Sequence, residues 1–243
     1  KIDAHYPELK ILEDNWEVIR DEAMALAKAE HIKASDNYDD LAFNSFFRTG
    51  WTRFYLKWYD DFMPSALEHR PRTIELVRQI PYMKAAMFAS LPPGATLPQH
   101  RDPFAGSMRY HLGLVTPNSE KCSIDVDGQN YWWKDGEAVV FDETFIHTAS
   151  NQSDHQRIIL FADISRTMRY AWAGSINNWV STYIVKASAA KNEANESVGF
   201  LNRVFGVLYY ARVGAKKLKR FNRKLYYVLK FTLFVILIWA IFL

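Results

Sequence analysis

The chain has 243 residues, of which 49% are hydrophobic and 15% aromatic, a composition that suits one large domain and excludes global disorder. Its single cysteine excludes an intrachain disulfide. Cys122 lies in a short strand-like run, which is typical of a small half-buried residue rather than of a catalytic thiol. The net charge of +3 says little about partners, although positive charge collects near the C-terminus. We expect no nucleic-acid partner.

The N-terminal part predicts two helices and one strand. Residues 7–33 place apolar side chains at spacings of three and four, the pattern of an amphipathic helix and not of a signal peptide. Residues 51–59 alternate with a period of two and therefore predict a strand. Residues 72–79 predict a second helix, which Pro81 ends.

Short strand-like runs separated by turns then follow, at 85–91, 108–115, 122–126, 129–133, 138–141 and 156–164. Asp-Gly pairs at 127–128 and 135–136 are strong hairpin signals between such runs. Several short strands at this spacing predict an antiparallel barrel or a jelly roll.

Beyond residue 166 the pattern is weaker. Residues 192–197 predict a polar linker, and lysines and arginines cluster at 216–224. An apolar run at 225–243, interrupted only by Lys230, would span about 28 Å as a helix, close to the thickness of a bilayer core. We expect a C-terminal membrane anchor with the basic cluster on the cytoplasmic side. A core helix packed on the barrel and a helix lying in the membrane interface are the alternatives.

Three residues predict a metal site. His100 and Asp102 are two apart, so on a strand they would present an imidazole and a carboxylate to one ion, and His147 follows a later strand and turn. Two histidines and one carboxylate leave about three positions of an octahedral ion open, as in non-haem iron(II) oxygenases. Those positions accommodate a bidentate oxo-acid and dioxygen. The motif alone is weak evidence, because Asp102 before Pro103 is also a common turn former.

An arginine inside an apolar run predicts an anion site. Arg157 precedes residues 158–161 (IILF), and a buried guanidinium needs an anionic partner. The distal carboxylate of 2-oxoglutarate would satisfy it, and a structural salt bridge is the alternative. Arg109 and His111 are two apart on a predicted strand, so both can face the same cavity. Taken alone, His111 would be a hydrogen-bonded core histidine.

Five motifs together carry a resemblance: residues 92–100 (PPGATLPQH), 109–114 (RYHLGL), 135–137 (DGE), 140–147 (VFDETFIH) and 157–161 (RIILF). They resemble the aspartyl/asparaginyl β-hydroxylase family. The resemblance implies a double-stranded β-helix core, iron(II) bound by His100 and His147, and 2-oxoglutarate held by Arg109, His111 and Arg157. The animal peptide hydroxylases of the family have glycine where this chain has Asp102, so the chain departs from them and matches the common three-ligand site.

Residues 45–60 and 100–119 are most similar to the bacterial lipid A hydroxylases within this family. That resemblance implies hydroxylation of carbon 2 of a secondary acyl chain of lipid A, or of a related acylated lipid. It also implies a catalytic domain on the cytoplasmic side of the bacterial inner membrane. One alternative is a peptidyl aspartyl or asparaginyl substrate. Another is a zinc hydrolase or a non-catalytic cupin-like module, which would have no use for both Arg109 and Arg157.

These patterns define an expected organisation that is mainly β with flanking helices. Residues 1–83 form N-terminal helices and a flanking strand, and residues 84–166 form the double-stranded β-helix, or jelly-roll, catalytic core. Residues 167–224 form a helical, basic linker region, and residues 225–243 form the anchor helix. Asp142 and Glu143 are expected to shape the turn before His147, with orientation of a metal ligand as the alternative.

Overall fold

The computed structural model describes residues 5–35, 40 and 42–242, apart from the side chains at 233, 234 and 236–242. Seven α-helices are described: α1 Lys10–Asp14, α2 Trp16–Lys28, α3 Pro64–His69, α4 Pro71–Arg78, α5 Ala171–Val180, α6 Phe200–Phe221 and α7 Arg223–Phe242. Nine strands are described: β1 Thr52–Trp58, β2 Asp61–Phe62, β3 Met83–Leu91, β4 Ser107–Val115, β5 Cys122–Val126, β6 Gln129–Trp132, β7 Ala138–Phe141, β8 His147–Asn151 and β9 Arg157–Ser165.

The strands form two antiparallel sheets that share one cavity. The larger sheet has the order β2-β1-β3-β9-β4-β7, and the smaller has the order β6-β5-β8. Side chains from both sheets line the cavity between them. This arrangement is a double-stranded β-helix with flanking helices, which confirms the predicted fold class. It also decides between the two predicted β architectures in favour of the jelly roll.

A segment outside the named strands extends the smaller sheet beyond β8. Thr96 pairs with Ser150, and the backbone N–H of Leu97 donates to the carbonyl oxygen of Ala149 at 2.8 Å. This pairing carries the chain along β8 towards its first residue, so it fixes where the following loop enters the cavity.

The N-terminal region differs in detail from its prediction. The single helix expected at 7–33 is divided at Asn15, whose backbone (φ −116°, ψ 20°) is not helical. The carbonyl oxygen of Asn15 instead accepts the first hydrogen bonds of α2, from Val18 and Ile19. The strand predicted at 51–59 is confirmed, and it pairs with β3 inside the larger sheet rather than flanking the core.

The polar linker predicted at 192–197 is wrong, because this segment docks on the core. The side-chain oxygen of Asn192 accepts a hydrogen bond from the backbone N–H of Tyr55 (2.7 Å), and its amide donates to the Tyr55 carbonyl oxygen (2.8 Å). Glu196 accepts a hydrogen bond from the backbone N–H of Ser65 at the start of α3. Asn192 and Glu196 are both buried. Their polar groups replace bonds to water with bonds to an edge of the folded domain.

The C-terminal apolar run is helical, as α7. Within the part of the chain that the structure describes, no helix combines the length and the apolar character needed to cross a membrane. The spanning anchor predicted at 225–243 therefore finds no support there. Much of that prediction falls on positions 233, 234 and 236–243, which lie outside the described side chains.

Candidate metal centre

The two predicted histidine ligands face each other across a local antiparallel pair. The N–H of His100 donates to the carbonyl oxygen of His147 at 3.1 Å, and the reverse bond measures 3.0 Å. Residues paired in this way project their side chains to the same face. The imidazole centroids are accordingly 4.2 Å apart.

Strand alternation does not position Asp102, contrary to the sequence argument. His100 is a single bridge residue, and the chain from Arg101 to Gly106 is not a strand. The backbone N–H of Asp102 instead donates to the carbonyl oxygen of Glu143 at 3.0 Å. The segment that carries His147 therefore holds all three predicted ligands in place.

Backbone carbonyl groups set the orientation of both imidazoles. Nδ1 of His100 lies 2.8 Å from the Pro98 oxygen, and Nδ1 of His147 lies 2.9 Å from the Phe145 oxygen. Because a carbonyl can only accept, each Nδ1 carries a proton, which leaves Nε2 as the ring nitrogen available to a metal. Burial lowers the pKa of His147, although the Phe145 carbonyl partly opposes this shift. Neutral imidazole is the form that binds a metal.

One ligand atom from each of His100, Asp102 and His147 lies within 4.8 Å of the other two. Nε2 of His100 is 3.8 Å from Oδ1 of Asp102. Two imidazole nitrogens and one carboxylate oxygen on one side of a cavity are the donor set that suits iron(II) with open positions. The residues present therefore fit the metal that the sequence predicts.

A second convergence of metal-ligating groups has a different character. Oε1 of Glu193 lies 3.5 Å from Nδ1 of His31 and 3.3 Å from Nε2 of His69, and all three side chains are half-buried. These residues do not line the cavity between the sheets. The contact joins the loop after α2 and the end of α3 to the docked segment at 192–197. We interpret it as a contact that stabilises the fold and not as a metal site.

Arg109 has contacts that the sequence did not predict. Its Nη2 lies 2.7 Å from Oδ2 of Asp102 and also contacts Glu143, while its Nε lies 2.9 Å from Oδ1 of Asp163. The guanidinium also stacks over the ring of Phe161 at 3.8 Å. Arg109 therefore shares its charge among three carboxylates, one of them a predicted iron ligand. Its contact with 2-oxoglutarate stays a prediction.

Asp163 and Glu143 complete this buried cluster. Asp163 lies opposite Arg109 in the pairing of β9 with β4, so both side chains project to the same face. Burial raises the pKa of both carboxyl groups, and the Arg109 guanidinium opposes the rise. Sequence reasoning missed Asp163, although an aspartate inside an apolar strand run is itself a signal that a cation lies nearby. Of the two residues expected to shape the turn before His147, Asp142 does so by accepting hydrogen bonds from Thr144, whereas Glu143 contacts Arg109.

Arg157 and His111 line the same cavity as His100 and His147, two of the three predicted ligands. Arg157 is 2% exposed and lies 4.4 Å from the ring centroid of Trp133. Among the described residues, no carboxylate forms an ion pair with Arg157, and its Nε is buried without a hydrogen-bond partner. Burial accordingly lowers the pKa of Arg157 to about 10. The alternative interpretation, in which Arg157 forms a structural salt bridge, therefore has no carboxylate to support it among the described residues.

His111 presents two further unpaired polar atoms. Both ring nitrogens are buried without a hydrogen-bond partner. Burial lowers the pKa of His111 well below its usual value, and Arg109 and Arg157 lower it further, so the ring is neutral. A neutral imidazole offers one donor and one acceptor. Buried polar groups without hydrogen-bond partners destabilise the fold. The guanidinium of Arg157 and the imidazole of His111 together therefore suit a bound carboxylate, which would pair with them.

Comparison with known proteins identifies the family of this chain. The sequence profile described as aspartyl/asparaginyl beta-hydroxylase matches residues 13–167, a span that contains all nine strands and the three predicted ligands. The chain belongs to this hydroxylase family. An ornithine lipid ester-linked acyl 2-hydroxylase of Rhizobium tropici is 36% identical over 122 residues, covering 50% of this chain and 43% of that protein.

The human aspartyl/asparaginyl beta-hydroxylase is 28% identical over 168 residues, covering 65% of this chain and 21% of the human protein. The chain thus spans less than half the length of these relatives. A prolyl-4-hydroxylase structure from Pseudomonas putida aligns with a TM-score of 0.42 and 15% identity, covering 64% of this chain and 88% of that one.

Proposed function

We propose that this family member is an iron(II)- and 2-oxoglutarate-dependent dioxygenase that hydroxylates carbon 2 of an acyl chain of a membrane lipid. The observation that carries this proposal is the single cavity between the sheets. It is lined by His100 and His147, whose ligand atoms converge with that of Asp102, and also by Arg157 and His111, which have buried polar atoms without hydrogen-bond partners. Similarity to a lipid acyl 2-hydroxylase supports the substrate class. Lipid A is the specific substrate that we propose.

His100, Asp102 and His147 would hold the iron, which together with 2-oxoglutarate and dioxygen supplies the oxidising chemistry that inserts oxygen into a C–H bond. Arg157 would bind the distal carboxylate of 2-oxoglutarate through its planar guanidinium. Trp133 packs on that guanidinium and fixes its orientation. His111, held neutral, would donate a hydrogen bond to an oxygen of the same molecule.

Arg109 would act mainly by positioning Asp102. The short ion pair restricts the rotamer of that carboxylate, while Glu143 and Asp163 hold the guanidinium from its other sides. Such outer contacts are expected to strengthen metal binding, because the ligand is held ready and little entropy is lost on binding.

A peptidyl aspartyl or asparaginyl residue is the second candidate substrate, because the human relative matches over a longer stretch of this chain than the lipid hydroxylase does. We further propose that the catalytic domain works on the cytoplasmic side of the bacterial inner membrane, where 2-oxoglutarate and reduced iron are available.

The test uses purified protein with iron(II), 2-oxoglutarate and air, and offers lipid A, ornithine lipid or an aspartyl peptide in separate reactions. We expect succinate to form with lipid, and mass spectrometry to find one added oxygen atom on carbon 2 of a secondary acyl chain. His147→Ala is the inactive control. Hydroxylation of the peptide but of neither lipid would transfer the proposal to the second candidate.

A further inference from the structure

Helix α5 and the turn after it expose an apolar, aromatic face and bury polar residues. Trp172, Ile176, Trp179 and Tyr183 follow one another at spacings of four, three and four, which places them on one helical face. They are 66%, 55%, 56% and 65% exposed. A helix on a water-soluble domain normally buries such a stripe and exposes its polar side chains.

The residues that this helix does bury are polar. Asn177 is buried, and its side-chain amide donates a hydrogen bond to the carbonyl oxygen of Gly106 at 2.9 Å. Ser181, one turn later, is also buried. The polar face is therefore the one that packs on the domain, and the aromatic face is left towards the surroundings.

This polar contact fixes the helix beside the loop at residues 101–106, which carries Asp102 and which we call the metal loop. Gly106 lies four residues after Asp102, and its carbonyl oxygen also accepts a hydrogen bond from the backbone N–H of Arg166. A side chain at Gly106 would collide with Asn177 and Phe104, so the close approach requires glycine. The exposed stripe therefore has a fixed position relative to the loop that carries a predicted iron ligand.

The part of the sequence that carries the stripe and continues after it is strongly basic. From residue 164 to residue 243 the chain has thirteen lysines and arginines but only two acidic residues, Glu193 and Glu196. Glu196 is buried and Glu193 is half-buried against two histidines. Helix α6, which continues this basic region, begins beside the end of the stripe, where Asn202 donates to the Ser188 carbonyl oxygen.

Tryptophan and tyrosine side chains prefer the boundary between lipid headgroups and acyl chains, and basic side chains are attracted to anionic headgroups. We propose that the stripe of Trp172, Ile176, Trp179 and Tyr183 docks into the headgroup region of an anionic phospholipid bilayer. A second copy of this chain is a poorer occupant, because it would bring the same positive charge against itself. The inference deepens the proposed function, on whose lipid substrate it rests: docking holds the metal loop next to the acyl chains.

The test uses the full chain carrying Ser175→Cys, labelled with an environment-sensitive fluorophore. Ser175 is exposed and lies on the stripe, between Trp172 and Trp179. Cys122 is buried, so the unaltered chain serves as the labelling blank. Glu120→Cys, an exposed site in the loop before β5 and outside the stripe, is the matched control label. Vesicles are made of phosphatidylcholine alone or mixed with phosphatidylglycerol, and neither iron nor 2-oxoglutarate is added.

We expect the Ser175→Cys label to shift to the blue and brighten with phosphatidylglycerol vesicles, more weakly with phosphatidylcholine alone, and the Glu120→Cys label to remain unchanged. Adding Trp172→Ser and Trp179→Ser should weaken vesicle binding reported by the label about tenfold. The double replacement Met24→Ala and Leu67→Ala, at exposed apolar residues of α2 and α3, should leave it unchanged.

A Ser175→Cys label that does not respond, whether or not the chain sediments with vesicles, would overturn the proposal. An equal response from the Glu120→Cys label would do the same, because it would mean non-specific adsorption. The measurement needs no turnover, so failure of docking and failure of the proposed activity are separate results.

Discussion

Asp102 combines two roles at the scale of a single residue: it is a predicted iron ligand and one of three carboxylates that share Arg109. Asp102→Ala removes the ligand but leaves Arg109 paired with Glu143 and Asp163, so the fold should survive. We expect 2-oxoglutarate turnover to be lost while the melting temperature changes little. Succinate assays and thermal unfolding check this. Full activity in the variant would reject the three-ligand site, whereas partial activity would match a site that works with two histidines.

Arg157 is buried without a carboxylate partner in the described chain, so a bound anion would supply the ion pair that its guanidinium lacks. Arg157→Ala would leave the distal carboxylate of 2-oxoglutarate unpaired, which should weaken binding by about 2–5 kcal/mol. Calorimetric titration of 2-oxoglutarate measures the loss. Without 2-oxoglutarate the variant should be at least as stable as the original chain. An unchanged affinity would remove Arg157 from the co-substrate site.

Asp142 makes a pH-dependent contribution to stability. The hydrogen bond from Arg166, together with bonds from Thr144, lowers its pKa to about 2 despite partial burial. A depressed carboxyl pKa stabilises the fold above the unfolded pKa of about 4 and is lost as the pH falls towards 2. Asp142→Asn should therefore cost about 1 kcal/mol at pH 6 and progressively less by pH 3. Denaturant unfolding at both pH values gives the difference, and a constant cost would contradict the ion pair as its source.

At the scale of elements, the segment at 192–197 is packed on the core and is not a linker. Asn192→Ala would leave the buried backbone N–H and carbonyl of Tyr55 without partners, at a cost of about 1–3 kcal/mol. Asn195→Ala, at an exposed position of the same segment, is the matched control and should cost nothing measurable. Urea unfolding gives the free energy of unfolding of both variants. Equal values would contradict the packed segment and restore the linker interpretation.

At the scale of the whole molecule, a bound metal and co-substrate should stabilise the native state, because the unfolded chain does not hold the three ligands together. Manganese(II) with 2-oxoglutarate, each at about one hundred times its dissociation constant, should each add about 2.7 kcal/mol to the free energy of unfolding. Thermal shift with and without a chelator measures this. His100→Ala should abolish the metal-dependent part, and a shift that persists in this variant would place the metal elsewhere.

Sequence alone was enough to predict the elements whose signal is local. Short runs that are alternating or continuously apolar, separated by turn residues, predicted every described strand except β2 and β8. The helix at residue 72 was predicted for the same reason. The convergence of His100, Asp102 and His147 was also predictable, because few side-chain types bind iron and the three stand in motifs that resemble one hydroxylase family. Their role as iron ligands stays a prediction.

Other features depend on partners far away in the chain, and only the tertiary structure decided them. Nothing near Arg109 in sequence indicates that Asp163 lies opposite it, since strand register is set by the pairing of whole sheets. A polar segment at 192–197 looks like a linker until Tyr55 is seen to satisfy its amide. The sequence gives no indication that the polar face of α5 packs on Gly106 and leaves its aromatic face exposed. The pattern of a segment determines which face is apolar, but the rest of the fold determines whether that face meets the core or the surroundings.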